Sequence, residues 1–253
     1  MCGFCSSRRQ FLLATPAVLL AGCSTNSTLD RRQLMLVSQD QLAGMSEQTW
    51  QDAKSSQTIS QDPTYTAAVE RVMARLAAAD TRTSANFEIA VFEDDNPNAW
   101  VLPGGKVGVN TGMFKVARTD GQLAAVLGHE RGHVLAKHSA ERLSQTLAAQ
   151  VGQQALSALA GATYGADASK LAAQAFGLGA KYGLLMPYGR QQELEADKIG
   201  LRMMARAGYA PHEAVDVWKN MIAEGNRRPP EFLSTHPSPS TRIEELQREI
   251  SRL

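Results

Sequence analysis

The hydrophobic pattern changes period twice along the chain. Over residues 64–79, Ala68, Val69, Val72, Leu76 and Ala79 recur at helical spacing and share one face. A weaker helical stretch, 41–54, comes first, with Ser38 or Asp40 as its cap, and the polar break 55–63 separates the two. Residues 87–92 alternate like a strand, 94–98 form a turn-rich loop, and 100–102 and 106–110 read as two more short strands around Pro103-Gly104-Gly105. After Gly112 the helical period returns and holds to the end. A long helix capped by Asp120 reaches about residue 150, and further helices fall near 152–161, 166–182, 188–207, 211–224 and 239–252. Nothing repeats at solenoid spacing. The pattern predicts one α+β domain, mainly helical, with a small sheet of about three strands.

The first residues do not fit that domain. Arg8 and Arg9 precede a short apolar run over 11–20, broken by Pro16, and Leu20-Ala21-Gly22 ends it before Cys23. A charged start, a short apolar middle and a small-residue end make an export signal, predicted here over 1–22. The run is too short to span a bilayer as a helix. Leu20-Ala21-Gly22-Cys23 resembles the lipobox of bacterial lipoproteins, which implies that Cys23 is acylated and becomes the first mature residue. The paired arginines resemble a twin-arginine signal, although they also occur in Sec signals. Ser24 in the next position implies, for a Gram-negative source, lipid anchoring in the outer membrane facing the periplasm. Residues 23–35, rich in Ser, Thr and Asn, read as a flexible tether, and the domain is expected over 36–253.

Composition narrows the chemistry. The chain has 253 residues, 43% apolar and 20% charged, enough for one good core. Its 26 basic and 25 acidic residues show no excess that would point to nucleic acid. Of the 3 cysteines, Cys2 and Cys5 lie in the signal and Cys23 would carry lipid. No thiol is then left for a disulfide or a metal, so any metal must be held by histidine and carboxylate.

His129 and His133 supply the first two such groups. Four residues apart on a helix, they lie on one face about one turn apart, and both imidazoles can reach one ion. Glu130 is offset around the axis, placed to touch a water at that ion and to act as its base. Leu123, Ala124, Val126, Leu127, Val134, Leu135 and Ala136 make this a mostly buried helix, where polar side chains need partners. A catalytic zinc takes three protein ligands and keeps one position open. His138, five residues beyond His133, is rotated off the ligand face and reads as a helix-surface residue. His212, after Pro211, reads as a cap or surface residue. Glu193 and Asp197, again four apart, share a face of a second helix. Glu193 could bind the metal while Asp197 accepts the second ring N–H of a ligand histidine. Spacing alone equally allows a solvated acidic face.

Leu102-Pro103-Gly104-Gly105, the His129–His133 segment, Glu193-Leu194-Glu195-Ala196-Asp197, Ser234-Thr235-His236-Pro237 and Arg242-Ile243 together resemble the HtpX-type zinc peptidases over roughly 35–250. That family includes periplasmic bacterial lipoprotein proteases. The resemblance implies a zincin-like domain with one Zn2+ per chain on His129, His133 and Glu193, Glu130 as base and Asp197 beside a ligand histidine. It also implies that His236 comes near enough to steady an oxyanion, and that Arg190 and Arg242 are buried or line the site. The turn Pro103-Gly104-Gly105 and the strand Lys106, Val107, Gly108, Val109 and Asn110 would border the cleft and hold a peptide as an added strand, although the turn alone reads as well as an ordinary hairpin. The implied activity is hydrolysis of internal peptide bonds in misfolded or unassembled envelope proteins. The alternative is a zinc-retaining lipoprotein that acts as a chaperone or assembly partner; Glu130 favours the enzyme. The partners expected are protein or peptide substrates, the membrane through lipid on Cys23, and envelope-assembly proteins. Residues 147–187, rich in Ala, Gly, Leu and Gln, read as two packed helices or as a lid.

Overall fold

The structure, a computed structural model, describes residues 23–82, 86–168, 170, 171, 174, 186–225, 236 and 239–253. The expected export signal, 1–22, lies outside the described residues, as does the side chain of Cys23. Most of the helix expected over 166–182 and Ser234, Thr235 and Pro237 also lie outside them.

The segment expected as a flexible tether is instead an antiparallel hairpin, β1 (Cys23–Asn26) and β2 (Arg31–Leu34), with Cys23 opposite Leu34 and Asn26 opposite Arg31. Two of its polar side chains, Asn26 and Gln33, are buried, while Ser24, Thr25, Ser27 and Arg32 are exposed. Asn26 Nδ2 donates to Gln33 Oε1 at 2.8 Å and to the Ala136 carbonyl at 2.9 Å, and Gln33 Nε2 donates to the same carbonyl at 2.8 Å. That carbonyl ends a helix and has no partner within it, so the hairpin is a cap supplied from 103 and 110 residues away.

Two helices follow near their expected limits. Helix α1 (Gln39–Ser56) opens with a capping box between Ser38 and Gln41, and α2 (Pro63–Ala79) has Asp62 as its cap and Pro63 in its first turn. The apolar face of α2, with Val69, Val72, Met73 and Leu76, is fully buried. Strands β3 (Glu88–Phe92), β4 (Ala99–Leu102) and β5 (Lys106–Asn110) form a sheet in the order β3-β5-β4. β5 runs parallel to β3 and antiparallel to β4. Gly104 and Gly105 turn the β4–β5 hairpin with φ of 89° and 81°, where a Cβ would be strained.

This order corrects the expected cleft strand. Lys106–Asn110 is the central strand, hydrogen-bonded on both sides, and Val107, Gly108, Val109 and Asn110 are buried. A strand can accept a peptide only along an unpaired edge. The edges are β3, whose last residues are bridged by residues 58–60, and β4, which among the described residues pairs only with β5 and offers the freer edge.

The remainder is helical: α3 (Met113–Val116), α4 (Asp120–Leu135), α5 (His138–Tyr164), α6 (Met186–Arg206), α7 (Glu213–Gly225) and α8 (Pro239–Ile250). The single helix expected from residue 120 to about 150 is two helices. Lys137 sits in the left-handed region at φ 56° and breaks the run. The N-cap is Thr119, whose side chain accepts from the Gln122 N–H. Asp120 instead pairs with Arg71 at 2.6 Å. The stretch expected as a separate helix over 152–161 continues α5 without a break. Among the described residues no helix is long and apolar enough to cross a membrane.

Helices α4 and α6 cross at backbone contact. A Cβ on Gly132 would lie 2.7 Å from the Ala196 carbonyl oxygen, and one on Gly200 would lie 2.7 Å from Gly128 C and His129 N. The crossing lays Glu193 and Asp197 beside His129 and His133. In an ordinary helix Gly→Ala stabilises by about 1 kcal/mol. Here the overlap should dominate: Gly200→Ala is expected to lower unfolding free energy by about 1–3 kcal/mol in urea titrations. A stabilised Gly200→Ala protein would contradict this crossing.

Candidate metal centre

His129 and His133 are carried by α4, Glu193 by α6, and His236 lies in the segment before α8. Their ligand atoms all lie within 4.8 Å of one another. His129 Nε2 is 3.0 Å from His133 Nε2 and 3.3 Å from Glu193 Oε2, and His133 Nε2 is 3.4 Å from Glu193 Oε1. Donors about 2.0–2.1 Å from one tetrahedral zinc lie about 3.3 Å apart, so these groups fit that ion with little movement. Three imidazoles and one carboxylate, without a thiolate, also suit zinc chemistry. His236 Nδ1 is 2.8 Å from Glu193 Oε2 and 3.2 Å from His129 Nε2. His236 thus stands among the donors themselves: with it the set is closed, and without it one position is open.

A second layer holds the donors in place. His129 Nδ1 meets Asp197 Oδ1 at 2.9 Å, which leaves its Nε2 facing the other ligands. Arg242 from α8 grips the same carboxylate, with Nε to Oδ2 at 2.6 Å and Nη2 to Oδ1 at 2.5 Å, and its Nη1 donates to Glu193 Oε2 at 3.0 Å. Its guanidinium lies 4.0 Å over the Trp218 ring of α7. Burial pushes the Asp197 and Glu193 carboxyls up. Arg242 and His129 at Asp197, and the three histidines at Glu193, outweigh it, holding Asp197 below its ordinary value and Glu193 well below the usual carboxylate range.

Glu130 behaves the other way. It is buried, and its Oε1 faces His236 Nε2 at 3.3 Å. Burial dominates and lifts its carboxyl to about 7, even though the positive field of His236 opposes the shift. A carboxyl titrating near neutrality can both take and return a proton.

Other expected positions fall elsewhere. Arg190 is exposed on the first turns of α6, so the arginine at Asp197 is Arg242. Pro103, Gly104 and Gly105 line a cavity of about 490 Å3 with Phe87, Arg131 and Lys137; none of the metal-binding candidates is in its walls. His212 has no place among the clustered donors.

His138 also lies elsewhere than its spacing predicts. Expected on the surface, it is 1% exposed, with Nδ1 2.9 Å from His133 Nδ1 and Nε2 3.0 Å from Glu195 Oε2. The helical rotation that removed it from His133 fails because the chain breaks at Lys137 between them. Glu195 is held in turn by Arg31 from the hairpin. The only available signs were a histidine shortly after His133 and a second glutamate two residues after Glu193.

Residues 63–250 match the family model described as peptidase family M48. The mitochondrial metalloendopeptidase OMA1 of Schizosaccharomyces pombe is 35% identical over 223 residues, covering 86% of this chain and 64% of that protein. OMA1 of Saccharomyces cerevisiae is 37% identical over 170 residues, 64% of this chain and 46% of that protein. The beta-barrel assembly-enhancing protease of Escherichia coli K12 is 26% identical over 236 residues, 92% of this chain and 47% of that protein. The chain therefore spans less than two thirds of the length of these curated relatives.

The Glu130 environment has a measurable cost in the metal-free protein. Below pH 4.5 the carboxyl is protonated both folded and unfolded. Between pH 4.5 and 7 the unfolded chain releases a proton that the fold retains, so stability falls; above 7 both have released it and stability levels with about 3 kcal/mol lost. Glu130→Gln cannot ionise and should escape this loss. Urea titrations of the metal-free proteins at pH 4.5 and pH 8 should show the variant gaining on wild type by about that amount. Parallel pH profiles would contradict the assigned environment.

Proposed function

Because the chain belongs to peptidase family M48, we propose that it is a zinc-dependent endopeptidase with His129, His133 and Glu193 as ligands and Glu130 as proton carrier. The observation that carries this reading is the meeting of those three donors beside a buried carboxyl that titrates near neutrality. When bound, the zinc would supply Lewis acidity to a water and to the scissile carbonyl.

The protein's own groups do the rest. Glu130 takes a proton from the attacking water and gives it to the leaving amine, which its elevated pKa allows. Asp197 and Arg242 keep the His129 ring oriented through both steps. His236 must leave the donor set to open a position, and from its place beside Glu130 its ring N–H can then serve the oxyanion. The substrate lies as an added strand along β4 rather than β5, held by main-chain hydrogen bonds with little sequence preference. Glu130 beside the ligands favours this enzyme over a zinc-retaining chaperone, which has no use for a base.

The substrates we propose are misfolded or unassembled proteins of the cell envelope. This rests on the export-signal pattern of 1–22 and on Cys23 as a lipid-anchor position in the outer membrane. The relatives divide on compartment, since OMA1 is a mitochondrial protein.

Purified protein should digest casein, and a chelator should abolish the digestion. Glu130→Gln should lower kcat/KM about 10²–10⁴-fold while zinc content stays unchanged. Glu193→Ala should lose zinc. Digestion at the wild-type rate by Glu130→Gln would remove the assigned base. In cells, labelled fatty acid should enter the wild-type chain and not Cys23→Ala; equal labelling would remove the anchor.

A further inference from the structure

The contacts of Glu195, His138 and His133 form a chain of hydrogen bonds whose direction can be read from one end. Glu195 accepts at both carboxylate oxygens: Arg31 Nε reaches Oε1 at 2.7 Å and Nη2 reaches Oε2 at 2.8 Å, and Gln191 Nε2 reaches Oε1 at 2.8 Å. A carboxylate so engaged offers no proton. His138 Nε2, 3.0 Å from Oε2, must therefore be the N–H of that ring. The neutral ring then has its lone pair on Nδ1. His133 Nδ1 is 2.9 Å from that atom, so it must carry hydrogen and donate. His133 Nε2 is left with a bare lone pair, and it is the atom 3.0 Å from His129 Nε2 and 3.4 Å from Glu193 Oε1.

We infer that His138 is a positioning residue for the ligand His133, fixing its tautomer and ring orientation, with its own tautomer fixed by Glu195. The inference rests on the zinc reading of His129, His133 and Glu193. The two ligand histidines are then served differently: His129 donates directly to Asp197, whereas His133 donates through an intervening imidazole. The relay is anchored outside the helices that carry the ligands. Arg31 lies on β2 and also clasps Glu141 of α5, with Nη1 to Oε1 at 2.6 Å and Nη2 to Oε2 at 2.9 Å. His138 opens α5 immediately after the left-handed Lys137, and that break aims its ring back at His133. The opposite relay, with hydrogen on His138 Nδ1, would leave His138 Nε2 and the Glu195 carboxylate as two facing acceptors.

Long-range proton–nitrogen NMR correlations on the full chain with 15N-labelled histidine test the direction. His133 should appear as the Nδ1–H tautomer and His138 as the Nε2–H tautomer, in metal-free protein and after zinc addition. Either ring in the other tautomer overturns the relay. Zinc competition with a chromophoric chelator tests its consequence. His138→Leu should bind zinc about 10–100-fold more weakly than wild type. His138→Gln can accept from His133 with its carbonyl and donate to Glu195 with its amide, and should recover affinity to within about threefold of wild type. Wild-type affinity in His138→Leu, or a Gln variant no better than the Leu variant, overturns the inference. If His138→Leu does not fold, the tautomers and the Gln variant still decide it. A wild-type chain that binds no zinc would instead sink the ligand assignment, and the tautomers of the metal-free chain would still judge the relay.

Discussion

A backbone-to-backbone contact between α4 and α6 sets the distances on which the site depends. With Gly132 against Ala196 and Gly200 against Gly128 and His129, the two helices approach more closely than side chains would permit. At that separation, residues four apart on one helix face residues four apart on the other. His129 comes to Asp197 and Glu193, and His133 comes to Glu193. A wider crossing would leave the same side chains on the same faces and out of reach. Glycine is required here by space rather than by backbone angle, since α4 and α6 are regular helices.

Such an approach gathers charge in a region with little water, and each charge needs a counterpart. Glu193 and Asp197 are 1% and 5% exposed, and the cation that meets both is Arg242, itself 1% exposed. It comes from α8, and its guanidinium lies 4.0 Å over the Trp218 ring of α7. The last helices are thus part of the electrostatics of the metal centre. Glu130 is the exception in this cluster: its Oε1 lies 3.3 Å from His236 and 4.0 Å from His129, with no arginine among the described residues gripping it as Arg242 grips Asp197, so burial prevails and its proton stays bound toward neutrality.

Much of this was legible in the residue pattern. The apolar face of α2 gave its limits to within a residue, and β5 fell where alternation and the Pro103-Gly104-Gly105 turn placed it. The pairs His129/His133 and Glu193/Asp197 were legible because four-residue spacing fixes a shared face without knowledge of the partner helix. What the pattern could not carry was decided by tertiary contact. Strand order is not written in alternation, so the pattern alone cannot tell the central β5 from a strand that borders the cleft. The break at Lys137 has no glycine or proline to announce it, and the α4 terminus is satisfied by Asn26 and Gln33 from the far end of the described chain. The same polar residues that read as a solvated tether are the ones that make this cap. Arg190 and Arg242 were equally plausible by position; packing against Trp218 selects Arg242.

The hairpin and α8 therefore approach the metal centre from opposite ends of the sequence and do parallel work. Arg242 fixes Asp197, which fixes His129; Arg31 fixes Glu195, which in the relay fixes His138 and then His133. In each branch an arginine holds a carboxylate so that it can act only as an acceptor, and the ligand ring is left with its lone pair inward. The branches differ in strength. An imidazole that donates to a carboxylate becomes a more basic ligand than one that donates to a neutral ring. On the proposed ligand set and relay, His129 is the stronger donor of the pair, and His133, one link further from its anion, is the ligand whose hold on zinc depends most on residues outside the two crossing helices.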